Sequence, residues 1–240
     1  MNKYFFTAPI IDGEVILTGE TAHHLVNVMR ISPGDTLTLC DGKCTDYIIE
    51  VTGVQKQAVT CKIAQEIPCH NEPTTKITLY QAMPKGEKLE MIIQKCVELG
   101  VTKIVPIITS RSIVRKMDEK KTARFQRIAE SAACQSMRGM IPRVDTAIPF
   151  LDALGKLPPE SLNLVAYEGE NKLGLKSLLM QNMGAKSLNI FIGPEGGWAK
   201  EEITILQGAG VTPITLGKTI LRTETAAIAT VAQALFFMED

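Results

Sequence analysis

A regular alternation of short apolar runs and amphipathic segments, from residue 76 onward, is the pattern that most constrains this fold. Strands are predicted at residues 77–82, 104–108, 162–167, 188–192 and 211–216, and helices at 88–99, 121–138, 174–180, 201–208 and 224–238. Strands that alternate with helices build a mostly parallel sheet with helices on both faces. Pro106 removes a backbone donor from the second strand, which predicts an edge position for it.

The first 70 residues follow a different pattern, with short strands and tight turns. Strands are predicted at residues 14–18, 36–40, 47–51 and 58–63, and one short helix at 21–29 with Thr21 as its cap. Several short strands with tight turns are typical of a small β-barrel. Prolines at both ends of residues 68–73 indicate a linker. The chain is therefore predicted to contain two domains, residues 1–72 and residues 73–240.

The composition is that of an ordinary globular protein, with 45% hydrophobic and 22% charged residues. Every apolar run is too short to span a bilayer. The first residues, MNKYFFTAP, contain one lysine and no sustained apolar core, so they do not form a signal peptide. We expect a cytoplasmic protein that does not enter a membrane.

Six cysteines occur in the chain, and we expect no disulfides in a cytoplasmic protein. The spacing of Cys40, Cys44, Cys61 and Cys69 leaves a zinc site as the weaker alternative. The sequence has no C-x2-C pair, and Cys40 and Cys61 fall in strand-like runs that suit a small buried residue. Structural thiols and no bound metal are predicted.

Charge is distributed unevenly along the chain, although the net charge is zero. Residues 76–145 contain 14 Lys and Arg against 7 Asp and Glu. Two interpretations remain open. This segment is either a surface that faces phosphate groups or a set of solvated helix faces.

Two loops stand out, residues 193–197 (GPEGG) and residues 216–226 (LGKTILRTETA). Each follows an apolar run and leads into a predicted helix, which is where α/β sheets commonly bind ligands. Neither loop matches the G-x-G-x-x-G or P-loop pattern, so ordinary dinucleotide and nucleotide sites are disfavoured. Glycine permits close approach of the backbone to a ligand, and a following helix N-terminus favours negative charge. A tight turn without a ligand is the alternative for residues 193–197.

Together these loops resemble the SPOUT superfamily of methyltransferases, and more closely the ribosomal RNA small subunit methyltransferase E family, which makes 3-methyluridine in 16S rRNA. Further matches lie at residues 24–30 with 34–35, 88–100 with 111–112, and 135–142. The resemblance implies an α/β SPOUT methyltransferase domain with a trefoil knot in its C-terminal third, preceded by a PUA-like RNA-binding β-barrel. It also implies a homodimer that binds S-adenosyl-L-methionine and acts on 16S rRNA or the small ribosomal subunit.

The same resemblance implies three cofactor loops, whose predicted contact residues are Tyr167, Glu168, Gly193, Pro194, Glu195, Gly196, Gly197, Leu216, Gly217, Ile220, Leu221 and Arg222. Arg222 is predicted to stabilise the uracil anion or orient the base. Glu224 is predicted to orient Arg222 or remove a proton, with helix capping as the alternative. Phosphate contacts are predicted for six basic residues, Arg30, Lys85, Lys88, Arg111, Arg138 and Arg143.

The chain departs from the family pattern at Lys3, Cys134 and Ala199, where arginine, glutamate and a capping serine are common. Ala199 removes half of a capping box with Glu202. Trp198 is predicted to pack beside its loop. A non-catalytic RNA-binding assembly factor and a SPOUT enzyme that acts on tRNA are the alternatives; the intact glycine loops favour an enzyme over the assembly factor.

Overall fold

A computed structural model of the chain describes residues 3–239, which form two compact units. The first unit contains the chain up to Glu72 together with Ala133–Ile141. The second contains Pro73–Ala132 and the chain from Pro142 onward. Among the described residues, no helix is long and apolar enough to cross a membrane.

The first unit is built on one five-stranded sheet. Its strands are β1 (Lys3–Phe5), β2 (Glu14–Thr18), β3 (Thr36–Cys40), β4 (Thr45–Gln55) and β5 (Ala58–Pro68), in the order β1-β3-β4-β5-β2. β1 runs parallel to β3, and the other pairs are antiparallel. Leu39 of β3 and Ile49 of β4 are fully buried in one core cluster, and Leu25 of the segment after β2 packs into the same cluster.

Helix α1 (Gly19–His23) of this unit continues into a π-helical turn, His24–Val28. The predicted cap at Thr21 is wrong, because α1 begins at Gly19 and its N-cap is Thr18, which makes no side-chain capping bond.

A buried ion pair holds the Ala133–Ile141 segment in the first unit. The Arg138 side chain is 2% exposed and donates to both carboxylate oxygens of Glu72, at 3.1 Å from Nε and 2.5 Å from Nη2. Glu72 Oε1 also accepts the N–H groups of Gly139 and Met140 at 2.8 and 3.2 Å. The helix before this segment ends at Gln135, three residues before its predicted end at Arg138. Arg138 therefore lies outside the helix.

The second unit contains a seven-stranded parallel sheet. Its strands are β6 (Lys76–Ala82), β7 (Lys103–Ile108), β8 (Arg143–Val144), β9 (Ile148–Pro149), β10 (Leu162–Ala166), β11 (Ser187–Ile192) and β12 (Thr212–Ile214). Its order is β12-β10-β11-β6-β7-β8, with β9 beside β7, and every pair is parallel. The predicted parallel sheet is confirmed.

Helices connect these strands. They are α2 (Lys88–Leu99), α3 (Glu119–Gln135), α4 (Phe150–Leu154), α5 (Leu175–Gln181), α6 (Lys200–Gly208) and α7 (Thr223–Met238). Helix α7 packs against α2, α5, β6 and β11. Tyr80 and Phe191 stack with ring centroids 4.4 Å apart in the core that also contains Leu206 of α6.

The predicted edge position of β7 is wrong, because β6 pairs with one side of it and β8 and β9 with the other. β8 pairs with Lys103 and Ile104, whereas β9 pairs with Ile107 and Ile108. Pro106 therefore lies opposite the gap between two short strands, where its missing N–H breaks no ladder bond on that side.

Arg138→Met tests the buried pair. We expect the free energy of unfolding to fall by about 3 kcal/mol, because the Glu72 carboxylate loses its charged partner in a buried site. Arg143→Met is the matched control, since the Arg143 side chain is 78% exposed beside Asp145 and an exposed pair contributes about 0.5 kcal/mol. Urea unfolding followed by circular dichroism measures both. Equal small losses would contradict a structural role for Arg138.

Candidate functional site

A cavity of about 810 Å³ lies at the carboxyl ends of three adjacent strands, β10, β11 and β12. Its wall consists of the loop after β10, the loop after β11 and the loop between β12 and α7. Parallel strands bring their carboxyl ends to one edge of the sheet, and this is the usual ligand position in open α/β folds. The volume lies within the range of about 300–1,000 Å³ that is typical of small-molecule sites.

The structure places every predicted cofactor-contacting residue on the wall of this cavity. These residues are Tyr167, Glu168, Gly193, Pro194, Glu195, Gly196, Gly197, Leu216, Gly217, Ile220, Leu221 and Arg222. Their role in cofactor binding stays a prediction. Glu224 does not line the cavity, although it follows Arg222 by two residues.

Two glycines keep the second loop open where a side chain would fill it. Gly197 has φ of +69°, and a Cβ there would collide with the Glu168 carboxylate of the first loop. A Cβ on Gly193 would lie 2.9 Å from Trp198 Nε1, which donates to the Ala166 carbonyl at 3.1 Å. Glycine at these positions allows the first and second loops to approach each other closely.

A hydrogen-bond chain ties the second loop to the start of α7. The Thr223 hydroxyl donates to the Gly193 carbonyl at 2.6 Å and accepts from Gln81 Nε2 at 2.9 Å. Gln81 is fully buried in β6, and its Nε2 also donates to the Ala82 carbonyl. Three separate segments of the chain are therefore held in register at the floor of the cavity.

The third loop leads from β12 to Arg222. Thr215 pairs with Gly174 in an isolated β-bridge, and its hydroxyl accepts from Gly217 N–H at 3.3 Å. Ile220 is 86% exposed. Arg222 is the N-cap residue of α7 and is exposed, so its guanidinium and the positive end of the helix dipole lie at the same edge of the cavity.

Lys88 joins two glutamates beside the cavity. Its Nζ lies 2.9 Å from Glu195 Oε1 and 3.6 Å from Glu224 Oε2. Glu195 Oε1 also accepts the Lys85 N–H at 3.1 Å. Partial burial favours the neutral acid, but the hydrogen bonds from Lys88 and from backbone N–H groups hold the pKa of the Glu195 carboxyl below its usual range. The hydrogen bond to Glu195 in turn raises the pKa of Lys88. The Glu195 side chain therefore holds the loop of residues 193–197 through its contacts with Lys88 and the Lys85 N–H.

Arg111 contacts the same loop from another side, since its Nη1 donates to the Gly196 carbonyl at 2.8 Å. Glu202 of α6 orders the segment before Arg111 by accepting the Ser110 N–H at 2.7 Å. Glu202 also accepts the Ala199 N–H at 3.0 Å. Ala199 has no side-chain oxygen to complete the capping box, as the sequence predicts.

The predicted phosphate-contacting residues thus fall into separate groups. Lys85, Lys88 and Arg111 meet around the loop of residues 193–197. Arg143 is exposed on β8, where its Nε lies 2.6 Å from Asp145. Arg30, in the first unit, is exposed with φ of +53°. Arg138 is buried against Glu72, so a phosphate would have to displace that carboxylate to reach it.

Sequence reasoning missed several residues of the cavity wall. Glu170 and Asn171 of the first loop line it, as does Thr215 before the third loop. Their position at or just beyond the carboxyl ends of the predicted strands 162–167 and 211–216 is the signal that points to this edge of the sheet. Gln81 is a polar residue inside the apolar run at 77–82, and that irregularity is the only sequence signal for its buried role.

The cysteines are free thiols, and Cys40, Cys61 and Cys96 are fully buried. Burial raises the pKa of Cys61 to about 11, which keeps that thiol protonated. Within residues 3–239, no group of three or more His, Cys, Asp or Glu side chains is arranged to hold a metal ion.

Two protein-family models match the chain. The model of an RNA methyltransferase domain matches residues 70–235, and the model of an RNA methyltransferase PUA domain matches residues 17–64. The family match and the cavity at the carboxyl edge of the parallel sheet together assign the chain to the RNA methyltransferase class.

Relatives define the family more closely. The ribosomal RNA small subunit methyltransferase E of Bacillus subtilis is 36% identical over 217 residues, covering 88% of this chain and 85% of that protein. The Synechocystis protein of the same name is 33% identical over 232 residues, covering 96% and 76%. The solved structure of the Neisseria gonorrhoeae enzyme, bound to S-adenosyl methionine, matches with a TM-score of 0.85 at 34% identity, covering 97% of this chain and 96% of that chain. This chain belongs to the ribosomal RNA small subunit methyltransferase E family.

The predicted fold class, a SPOUT α/β methyltransferase domain preceded by a PUA-like unit, is confirmed by these matches. The trefoil knot in the C-terminal third stays a prediction.

Thr223→Val tests the hydrogen-bond chain. Valine keeps the shape of the side chain but removes both hydroxyl bonds, which leaves the buried Gln81 amide short of a partner. We expect a loss of about 1–3 kcal/mol in the free energy of unfolding. Thr204→Val is the control, because the exposed Thr204 hydroxyl bonds only its own helix, at the Lys200 carbonyl. Urea denaturation of the two variants compares them, and losses of the same size would contradict a special role for Thr223.

Proposed function

We propose that this chain binds S-adenosyl-L-methionine in the cavity and transfers its methyl group to N3 of a uridine in 16S rRNA. The observation that carries the proposal is the single cavity that gathers all the cofactor residues predicted from the sequence. The Neisseria gonorrhoeae relative, 34% identical, is bound to S-adenosyl methionine, which supports the cofactor. The names of the relatives support the small-subunit rRNA as substrate.

The residues present fit this cofactor. Gly193 and Gly197 allow Trp198 and the Glu168 carboxylate to pack directly against the second loop, and Glu168 on the cavity wall provides an acceptor for a cationic group. Residues of the second and third loops line the rest of the wall, where a ligand with an adenine and a ribose is proposed to lie. When bound, this cofactor supplies an electrophilic methyl group on a sulfonium.

The chain's own residues must then orient the uracil and compensate its negative charge. Uracil N3 reacts only after it loses its proton, and the charge spreads to the two neighbouring carbonyl oxygens. Arg222 is exposed at the edge of the cavity and at a helix N-terminus, so it is the residue we assign to that charge. Glu224 lies two residues after Arg222 but off the cavity wall, with Oε2 3.6 Å from Lys88 Nζ, so we assign Glu224 to orienting the basic groups beside the base rather than to removing the proton.

We propose that RNA reaches this site along a basic surface formed by Lys85, Lys88 and Arg111. Lys85 and Arg111 border the same loop as Lys88, and each is exposed. They are proposed to contact rRNA phosphates, which position the RNA without reading its sequence. The proposed site of action is the ribosome in the cytoplasm. The proposed assembly is a homodimer, as the family resemblance implies, and Phe236 of α7 is 76% exposed in the single chain.

Mass mapping of modified nucleosides in rRNA tests the function. We expect 3-methyluridine to disappear from the 16S rRNA of cells that lack the gene and to return when the gene is restored. Persistence of 3-methyluridine would contradict the substrate, and loss of a tRNA modification would favour the tRNA alternative. Calorimetric titration with the cofactor separates an enzyme from an assembly factor, since an assembly factor does not bind it.

Gly197→Ala tests the packing of Glu168 against the second loop. We expect the affinity for S-adenosyl-L-methionine to fall by roughly tenfold or more, since alanine is strained at this φ and displaces the Glu168 carboxylate. Gly208→Ala is the control, because a Cβ there meets nothing within 4 Å and its φ is unstrained. Isothermal titration calorimetry measures both variants. Unchanged affinity in Gly197→Ala would place the cofactor elsewhere.

Arg222→Ala tests the charge-stabilising role. We expect kcat to fall on the order of 10²-fold with little change in cofactor affinity, because the guanidinium acts on the base. Lys218→Ala is the matched control, since Lys218 is a basic residue on the same wall of the cavity. Single-turnover methylation and calorimetry give the two quantities. Equal losses in turnover and affinity would instead assign Arg222 to cofactor binding.

A further inference from the structure

Cys44 and Cys69 face each other at the open end of the β4–β5 hairpin. The last paired residues of the ladder are Thr45 and Pro68, and Cys44 and Cys69 are the next residues outside it, with Cys44 in a bend at φ of +67°. The Cys69 N–H donates to the Cys44 carbonyl at 2.9 Å, so one backbone hydrogen bond holds the two cysteines side by side. Antiparallel neighbours that share backbone hydrogen bonds have Cα atoms about 5.5 Å apart, and disulfides join Cα atoms about 4.4–6.8 Å apart.

Gly139 shows how closely the two side chains approach. A Cβ built on Gly139 would lie 2.6 Å from Cys69 Sγ and 3.3 Å from Cys44 Cα. The missing side chain at position 139 therefore leaves room for the Cys69 side chain next to the Cys44 backbone. Cys44 and Cys69 are both partly exposed, so a small oxidant in solvent can reach them.

Cys40 lies close by but differs in chemistry. It is fully buried, and its Sγ donates to the Gly139 carbonyl at 3.3 Å. Burial raises the pKa of the Cys40 thiol to about 12, so this sulfur stays protonated and unreactive. The reactive pair is thereby limited to Cys44 and Cys69.

Lys3 contacts Cys69 Sγ, and this contact makes Cys69 the more nucleophilic of the two sulfurs. Its buried Nζ donates to Cys69 Sγ at 3.3 Å, as well as to Asp46 Oδ2 at 2.9 Å and the Met137 carbonyl at 3.3 Å. An ammonium beside a sulfur compensates the charge that the sulfur carries as a nucleophile. Burial, followed by the charge of Glu72, raises the pKa of the Cys44 thiol. Cys69 is thus the attacking sulfur and Cys44 the resolving one.

We propose that Cys44 and Cys69 form a reversible dithiol–disulfide site, oxidised by a peroxide and reduced by a small thiol. The Cys69 thiolate attacks a peroxide oxygen and becomes a sulfenic acid, and the other oxygen leaves as water after taking a proton. The Cys44 sulfur then attacks the sulfenic sulfur, and the displaced hydroxide takes the Cys44 proton and leaves as a second water. The two sulfurs lose two electrons, which reduce the peroxide.

A disulfide at this position suits a reversible role in a reducing compartment, where exposed, labile disulfides are the regulatory ones. Both the Cys44 N–H and Lys3 Nζ hydrogen-bond to residues 137–140, at the Gly139 carbonyl (3.0 Å) and the Met137 carbonyl (3.3 Å). A disulfide at Cys44 would therefore change the contacts of that turn. The site is independent of the methyl-transfer chemistry proposed above.

Peptide mass mapping of the full chain after treatment with hydrogen peroxide tests the proposal. The free thiols are blocked with iodoacetamide under denaturing conditions before digestion. We expect one linked pair of peptides, containing Cys44 and Cys69, that lacks two hydrogen atoms, while the other cysteines are alkylated. Dithiothreitol added before blocking should restore alkylation of all six cysteines.

Single substitutions provide the controls. Cys44→Ser and Cys69→Ser should each abolish the linked pair, whereas Cys134→Ser, at another partly exposed cysteine, should retain it. If a serine variant fails to fold, the peptide map of the unaltered protein still tests whether Cys44 and Cys69 become linked. Alkylation of both Cys44 and Cys69 after peroxide treatment, or linkage of either to Cys40 or to a second chain, would overturn the proposal.

Discussion

The chain of hydrogen bonds from Gln81 through Thr223 to Gly193 is the interaction on which the site depends. It connects a central strand, the first residue of α7 and the glycine loop after β11, which are far apart in sequence. A buried amide in an apolar strand is costly unless its hydrogen bonds are made. Loss of the Thr223 hydroxyl would therefore affect the strand and the loop together.

Charged side chains also hold the glycine loop after β11 in place. Lys88 at the start of α2 and Arg111 after β7 both contact the loop of residues 193–197, through Glu195 and the Gly196 carbonyl. Residues that sequence reasoning assigned to RNA phosphates thus also hold one wall of the cavity. Lys88 is partly exposed and Arg111 is exposed, so these contacts contribute little to stability, but they hold the loop of residues 193–197 in place directly. One set of cations is placed to serve both loop structure and the proposed RNA surface.

Much of the fold was predictable because hydrophobic periodicity is a local signal. The α2 pattern ends at Gly100, which takes φ of +124°, and the helix occupies the predicted residues 88–99. The errors occur where tertiary pairing overrides a local rule. Pro106 predicts an edge strand, yet two short strands leave a gap opposite it. The periodic pattern up to Arg138 predicts helix, yet the helix stops at Gln135 and Arg138 turns to pair with Glu72.

The sequence by itself determined the parallel α/β architecture, the two glycine loops and the family resemblance, because each depends on residue order and type. Only the tertiary structure decided that Arg138 is buried, that Lys88 links Glu195 to Glu224, and that Glu224 lies off the cavity wall. The physical reason is that a charge has no fixed role in sequence. Its role depends on whether a countercharge lies within a few ångströms, and strands and loops distant in the chain supply that partner.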